Sequence, residues 1–303
     1  MAIRRMKHLV LILAVIAGLV IIGIVCLRTG KAPLPPGTGK LVVAGTIYPL
    51  YDIARNVAGD EGAVTVIVPP GASPHLFEFS PKQLKELQEV RAVFAIGHGL
   101  DNWATRVTNV VKSARVVTVD QGVELRTFED GTTDPHYWLN FGNAQKITEN
   151  IAKELIKIDP AHAEVYQRNS NSYKEKLSEK ERELKEILAP VQGMPILTFH
   201  DAWFYFSEDF GLKIVGTFEP AAAEEPTPRY LAKLQRKIKS EHVRIIFIEP
   251  QLSTAVLQTF AKDNNVRIAE LDPLGGVEGR TTYLDLMEFD ANSIREALQK
   301  RDP

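Results

Sequence analysis

Cysteine is almost missing from this chain of 303 residues: there is one, Cys26. A single thiol closes no intramolecular disulfide and builds no thiolate cluster, so any metal centre must be made from nitrogen and oxygen. An excess of one charge is missing too. The formal net charge is −2, from 36 Lys+Arg and 38 Asp+Glu, which gives no basic surface for nucleic acid and excludes that class of partner. Three signatures of catalysis are lacking as well: no H-E-x-x-H helix, no G-x-S-x-G elbow and no Walker loop occurs.

One long apolar run is present, and it stands at the start. Arg4, Arg5 and Lys7 precede an unbroken apolar stretch from Leu9 to Leu27. Its length of about 19 residues suffices to cross a bilayer core of roughly 30 Å. The basic cluster stays in the cytoplasm, so the rest of the chain is exported. Residues 1–27 therefore read as an N-terminal membrane anchor or signal. A cleaved secretory signal competes, although the run is long for one and no A-x-A site follows. Lipid modification at Cys26 is a third reading, against which Val25 stands where a small residue is usual. Residues 28–40, RTGKAPLPPGTGK, are rich in Pro and Gly and read as a tether. All three readings export the remainder, and an anchored or lipid-modified chain would stand at the outer face of the cytoplasmic membrane, on the cell surface or periplasmic side.

Beyond the tether, strand and helix signals alternate. KLVVAGTI, AVTVIVPP, AVFAIG and ARVVTVD are short β-branched runs, with helical patterns in LYDIARNVAG, PKQLKELQEV and NWATRVTNVVK between them. This rhythm predicts a parallel sheet covered by helices on both faces. A helical stretch begins at Asn143, breaks at Asp159-Pro160 and resumes over Ala163 to Leu188, with apolar Val165, Tyr173, Leu177, Leu184 and Leu188 at roughly helical spacing. After Pro190 the alternation restarts: PILTF, LKIVGTF, VRIIFIE and VRIAELD as strands, and AWFYFSEDFG, PRYLAKLQRKIKSEH, STAVLQTFAKDNN and FDANSIREALQK as helices. The expected architecture is α/β: a lobe over 41–160, a linking spine helix over 161–189 and a second lobe over 190–303, each lobe carrying a parallel sheet flanked by helices.

Histidine is sparse, seven in all, but three lie in unusual company: His75 in GASPHLFEFSP, His136 in TTDPHYWLN and His200 in TFHDAWFYF. A carboxylate, Asp272, follows in AELDPLGG. His75 follows the second strand, His136 the fourth, His200 the first strand of the second lobe and Asp272 its last. Open parallel sheets bind ligands beyond the carboxyl ends of their strands, so these four residues, two from each lobe, are placed to converge in the cleft between lobes. Three imidazoles and a carboxylate complete a tetrahedral shell for a borderline-soft divalent cation.

PHLFEFSP, DPHYWLN, FHDAWFYF, EEPTP and LDPLGG, in this order around a long central helix, resemble the solute-binding receptors of zinc and manganese ABC transporters, over about Leu41 to Leu298. The resemblance implies two α/β lobes, a spine helix, a metal in the interlobe cleft held by His75, His136, His200 and Asp272, and delivery to an ABC permease in the membrane. It implies a receptor and no enzyme, expected here as a monomer. In manganese-type members a glutamate usually takes the place of His200. Imidazole at that position favours Zn2+, with Mn2+ as the alternative. Glu224 and Glu225 in EEPTP also occur in manganese-type relatives; they read as loop or helix-start residues, with Thr227 as a helix cap. The segment LRTFEDGTTD before His136 is short and has no histidine-rich insert of the kind many zinc receptors carry.

A zinc metallohydrolase is the competing class, but four protein ligands leave no open position for a substrate water. An adhesin role has no independent support in these residues. Asp201 is a candidate acceptor behind a ligand imidazole, while a turn role suffices for Asp134. His98 is a loop residue near the cleft. His162 and His242 read as solvated and His8 as part of the basic flank. Trp138, Trp203, Phe204, Tyr205 and Phe206 read as packing around the site. Three neutral imidazole donors predict a steep fall of metal affinity below about pH 6.

Overall fold

The computed structural model describes residues 40–128, 130–219, 225–251 and 255–300. The anchor or signal over 1–27, nearly all of the tether and Glu224 lie outside them. None of the described helices is long and apolar enough to cross a membrane.

In the first half, β1 (Leu41–Gly45), α1 (Tyr48–Ala58), β2 (Gly62–Val66), α2 (Pro81–Glu86), β3 (Ala92–Ala95), α3 (Thr105–Val110) and β4 (Arg115–Thr118) follow one another. The strands form a parallel sheet in the order β2-β1-β3-β4. After α4 (Phe141–Ile158) and α5 (Ala163–Leu188) come β5 (Pro195–Thr198), α6 (Phe204–Phe210), β6 (Lys213–Thr217), α7 (Pro228–Glu241), β7 (Ile245–Ile248), α8 (Ala255–Asp263), β8 (Arg267–Glu270) and α9 (Tyr283–Gln299). This second sheet is again all parallel, in the order β6-β5-β7-β8. The two sheets thus have the same winding, and the parallel α/β fold read from the strand–helix rhythm is what forms. In each sheet the chain moves first to one side of the opening strand and then to the other. The crevice of each therefore opens at the carboxyl ends of its two central strands.

α5 is 26 residues long, about 39 Å at 1.5 Å per residue. Its buried side is Tyr166, Ser170, Tyr173, Leu177, Leu184 and Leu188. These recur at steps of three, four or seven residues, the stripe a helix needs to lie along a core. The stripe opens at Tyr166 rather than Val165, which is half-buried. α9 starts six residues before the apolar pattern around Phe289 suggests, because the Thr282 side chain accepts from Asp285 N (3.0 Å) and caps a helix beginning at Tyr283.

The lobes share one core. A continuous buried cluster runs from Val43 and Phe94 beside the first sheet, through Tyr173 and Leu184 of α5, to Phe247 of the second sheet and Ile294 of α9. A buried carboxylate fastens this seam: Asp52 of α1 accepts from Tyr283 N at the start of α9 (2.9 Å), from Arg55 (2.8 Å) and from the Tyr173 hydroxyl of α5 (3.4 Å). Burial pushes the Asp52 carboxyl up from its ordinary range against these donors. The LDPLGG turn closes the other edge. Gly276 has φ +83, and a Cβ there would stand 2.6 Å from Tyr48 and 2.9 Å from Pro70. A glycine is therefore required for this loop of the second lobe to lie against the first.

Candidate metal centre

Each histidine is delivered by a short turn beyond a strand. Pro74–Leu76 form one helical turn after β2 and carry His75. His136 begins the turn Tyr137–Leu139 after β4. His200 stands two residues past the end of β5, where the Thr198 hydroxyl donates to its carbonyl (3.0 Å). The three rings meet, with centroids 5.4 Å apart for His75–His136, 5.9 Å for His75–His200 and 5.1 Å for His136–His200. One nitrogen from each lies within 4.8 Å of the others, and among the described residues this is the group able to grip one ion. His136 and His200 turn their Nε2 atoms toward each other at 3.3 Å.

The far sides of two rings are held by carboxylates. Asp134 Oδ1 takes His136 Nδ1 at 2.8 Å and its backbone N–H at 3.0 Å. Glu249, one residue beyond β7, takes His200 Nδ1 at 2.8 Å and Trp203 Nε1 at 3.1 Å through the same oxygen. Both acceptors are buried, Asp134 fully and Glu249 at 2 % exposure. A carboxylate on Nδ1 fixes the tautomer, so that Nε2 presents its lone pair to the cleft. The role considered for Asp201 falls to Glu249 instead, and Asp134 does more than make a turn. Asp201 pairs with Arg126 (2.9 Å).

Asp272 does not join the three rings in this geometry. It is buried beyond β8, with Oδ1 accepting from Gln251 Nε2 (2.7 Å) and Leu274 N (3.0 Å) and Oδ2 beside Arg280 Nη1 (3.2 Å). Its neighbours Pro273 and Leu274 line the cleft with the three histidines, as do Trp138, Glu219, Glu249 and Gln251. Of the other candidates, Glu225 is exposed and Thr227 caps α7 by accepting from Tyr230 N (3.2 Å). His98 is engaged by Asp120 (2.8 Å). His162 stays partly open to solvent while pairing with Asp159 (2.7 Å) and Glu61 (3.3 Å), and His242 is exposed at the end of α7. Trp138, Trp203, Tyr205 and Phe206 are buried as read, and Trp138 also donates to Pro273 O (2.8 Å) across the lobes. Glu249 was legible by the rule that found His200, since it ends the VRIIFIE run; the glutamate after an apolar strand carries no motif of its own.

The protonation of the cluster is uneven. Burial, with His136 and His200 adding to it, brings His75 down to about 3. Burial also lowers His136 and outweighs the pull of Asp134. At His200 burial acts in the same direction, but the charge and hydrogen bond of Glu249, with Glu219 and Asp201, overcome it and the imidazole is raised. His75 and His136 are therefore held toward the neutral form that can ligate a cation, and His200 is biased toward keeping a proton. This uneven set is expected to make the acid dependence shallower than three ordinary imidazoles imply. A cation entering at mildly acid pH should displace fewer than three protons, chiefly the one His200 is biased to keep. Because the raised His200 stabilises the metal-free fold below about pH 6.5 and that gain is lost as pH rises through its folded value, the metal-induced rise in Tm should narrow on acidification. Proton release measured calorimetrically in two buffers checks this; three protons per ion at pH 6 would refute it.

Glu249→Gln keeps an acceptor for His200 but removes the charge opposite the cation. Affinity should fall about tenfold, the lower end for loss of such a partner. Chelator competition reads it, and an unchanged affinity would reduce Glu249 to an anchor for Trp203.

The family model described as zinc-uptake complex component A, periplasmic, matches residues 42–297. The manganese ABC transporter substrate-binding lipoprotein PsaA of Streptococcus anginosus is 32% identical, over 96% of this chain and 98% of its own length. The manganese-binding lipoprotein MntA of Halalkalibacterium halodurans is 29% identical over 86% of this chain and 89% of its own. Among solved structures, a crystal structure of ZnuA superposes with a TM-score of 0.79 at 27% identity, covering 86% of this chain and all of ZnuA. FpvC of Pseudomonas aeruginosa in complex with Mn2+ gives 0.77 at 26%, covering 86% of this chain and 99% of FpvC.

Proposed function

Since the chain belongs to the family of zinc-uptake component A, the metal receptors of ABC importers, we propose that its cargo is zinc, held by His75, His136 and His200 with Asp272 as the fourth donor. The coarser function follows from the family itself: this is an extracytoplasmic binding protein that captures a divalent transition metal for a membrane permease, and no enzyme. Several relatives are named lipoproteins, in keeping with attachment at the outer face of the cytoplasmic membrane. In this reading residues 41–160 and 190–303 act as the two lobes, linked by 161–189, and the receptor works as a monomer.

The observation that carries the zinc reading is the donor set. Three imidazoles face one another in a cleft walled by Pro74, Trp138 and Leu274, two of them fixed by carboxylates. Nitrogen donors suit zinc, whereas manganese prefers carboxylate, carbonyl and water oxygen. Asp272 supports a fourth bond because a carboxylate offers about four lone-pair sites and Gln251, which shares the cleft, can give up its hydrogen bond to an incoming cation. Arg280 would keep the other oxygen in place. Manganese is the second reading, favoured by the names of PsaA and MntA and by the Mn2+ complex of FpvC. Elemental analysis of the metal-saturated protein after gel filtration tests the single site: one zinc per chain is expected, and two or more tightly held ions would contradict it.

A further inference from the structure

Residues 126 and 134 bracket a small hairpin that leaves the first lobe just ahead of His136. Thr127 and Thr133 pair antiparallel, Phe128 N donates to Thr132 O (2.8 Å) and Asp134 N to Arg126 O (2.9 Å). The base of this hairpin is fastened to α6 of the other lobe: Arg126 N donates to the Tyr205 hydroxyl (2.8 Å), which donates to Asp134 O (3.1 Å). The Arg126 side chain crosses the same seam. Nη1 and Nη2 donate to Oδ1 and Oδ2 of Asp201 at 2.9 and 3.1 Å, and Nη1 also reaches Asp134 Oδ2 at 3.2 Å. The guanidinium lies over Phe204 (4.4 Å) and Phe128 (4.8 Å).

These contacts form an unbroken chain between two of the histidines. Asp134 gives one oxygen to His136 and the other to Arg126. Arg126 forks onto Asp201, and Asp201 is the residue after His200. We propose that Arg126 is an interlobe clasp: it couples the contact between lobes to the orientation of His136 and thereby sets how slowly the metal leaves. The inference rests on the three-histidine reading of the site. Parting the lobes around a bound ion must break the planar two-bond fork, and in doing so it changes the pull on the carboxylate that positions His136. Two charge-assisted bonds in a fixed fork resist that separation more than a single point charge does. Partial solvent access, 26% for the Arg126 side chain and 35% for Asp201, limits the effect to a moderate factor.

The test is stopped-flow release of zinc into excess chelator from the full chain, comparing wild type, Arg126→Gln, Arg126→Lys, Asp201→Asn and the Arg126→Gln/Asp201→Asn double variant, with the metal-free Tm of each. Arg126→Gln and Asp201→Asn should each speed release about tenfold, a change of one decade for the loss of a partly screened fork. Arg126→Lys should fall between, and the double variant should release no faster than Arg126→Gln, because both remove the same contact. Association should change less than release. A purely structural role would lower the metal-free Tm and leave release unchanged. Wild-type release from both single variants, or fully additive effects in the double, overturns the clasp; if Arg126→Gln does not fold, Asp201→Asn decides alone. Failure of the wild-type protein to take up zinc contradicts the site reading instead.

Discussion

Alanine at His136 or His200 is expected to weaken zinc binding by about a thousandfold, and at His75 by a similar factor. Four-ligand zinc sites bind with about 10–16 kcal/mol, so one donor in four contributes roughly 2.5–4 kcal/mol, up to about three decades in affinity. Among the described residues no fourth imidazole lines the cleft. The clustered nitrogens come from three separate turns; Trp138, Leu274 and Pro74 beside them offer no donor, and Glu249 is already engaged by His200 and Trp203. Competition with a chelator of known affinity measures the loss. His162→Ala is the control: its ring serves Asp159 and Glu61 far from the cleft lining, and zinc binding should be unchanged. Losses below tenfold at all three histidines would remove them from the shell.

The rings could be found in the sequence because each sits in a turn next to aromatic residues and beyond an apolar strand run. Their convergence followed from the rule that parallel sheets bind at the carboxyl ends of their strands, and the repeated strand order of the two sheets places the turns as that rule requires. The partners behind the rings were harder to read. Asp134 precedes a proline and looks like a turn residue, yet its side chain holds His136. Asp201 stands beside His200 in the chain, but its carboxylate pairs with Arg126, and the imidazole turns instead to Glu249 just past the neighbouring strand β7. Arg126 lies in a polar loop without any motif, and its role depends on a tertiary contact 75 positions away. The start of α9 was missed because Thr282 caps it ahead of the periodic apolar pattern. The anchor or signal at the N-terminus falls outside the described residues.

Asp272→Ala should cost on the order of a hundredfold in zinc affinity, less than a histidine. Removing a carboxylate takes a full negative charge from beside the cation in a cleft of reduced dielectric. Part of that charge is already spent on Arg280 and Gln251, so the net loss is smaller than for a donor with no other partner. Metal-free stability should fall less than the zinc-induced rise in Tm, because Arg280 keeps its pair with Glu270 (2.7 Å) and the turn retains its hydrogen bond from Asp272 N to Asp290 (2.8 Å). Thermal unfolding with and without zinc separates the two effects. If the variant keeps the full zinc-induced shift, Asp272 serves the turn and Arg280 alone, and Glu219 at the cleft becomes the carboxylate to test next.

Three imidazoles should make this receptor one for zinc. The direct measurement is metal exchange on the purified protein, followed by elemental analysis after gel filtration. Protein equilibrated with manganese should surrender it to one equivalent of zinc, and zinc-loaded protein should keep its ion in excess manganese. Retention of manganese against equimolar zinc would contradict the claim.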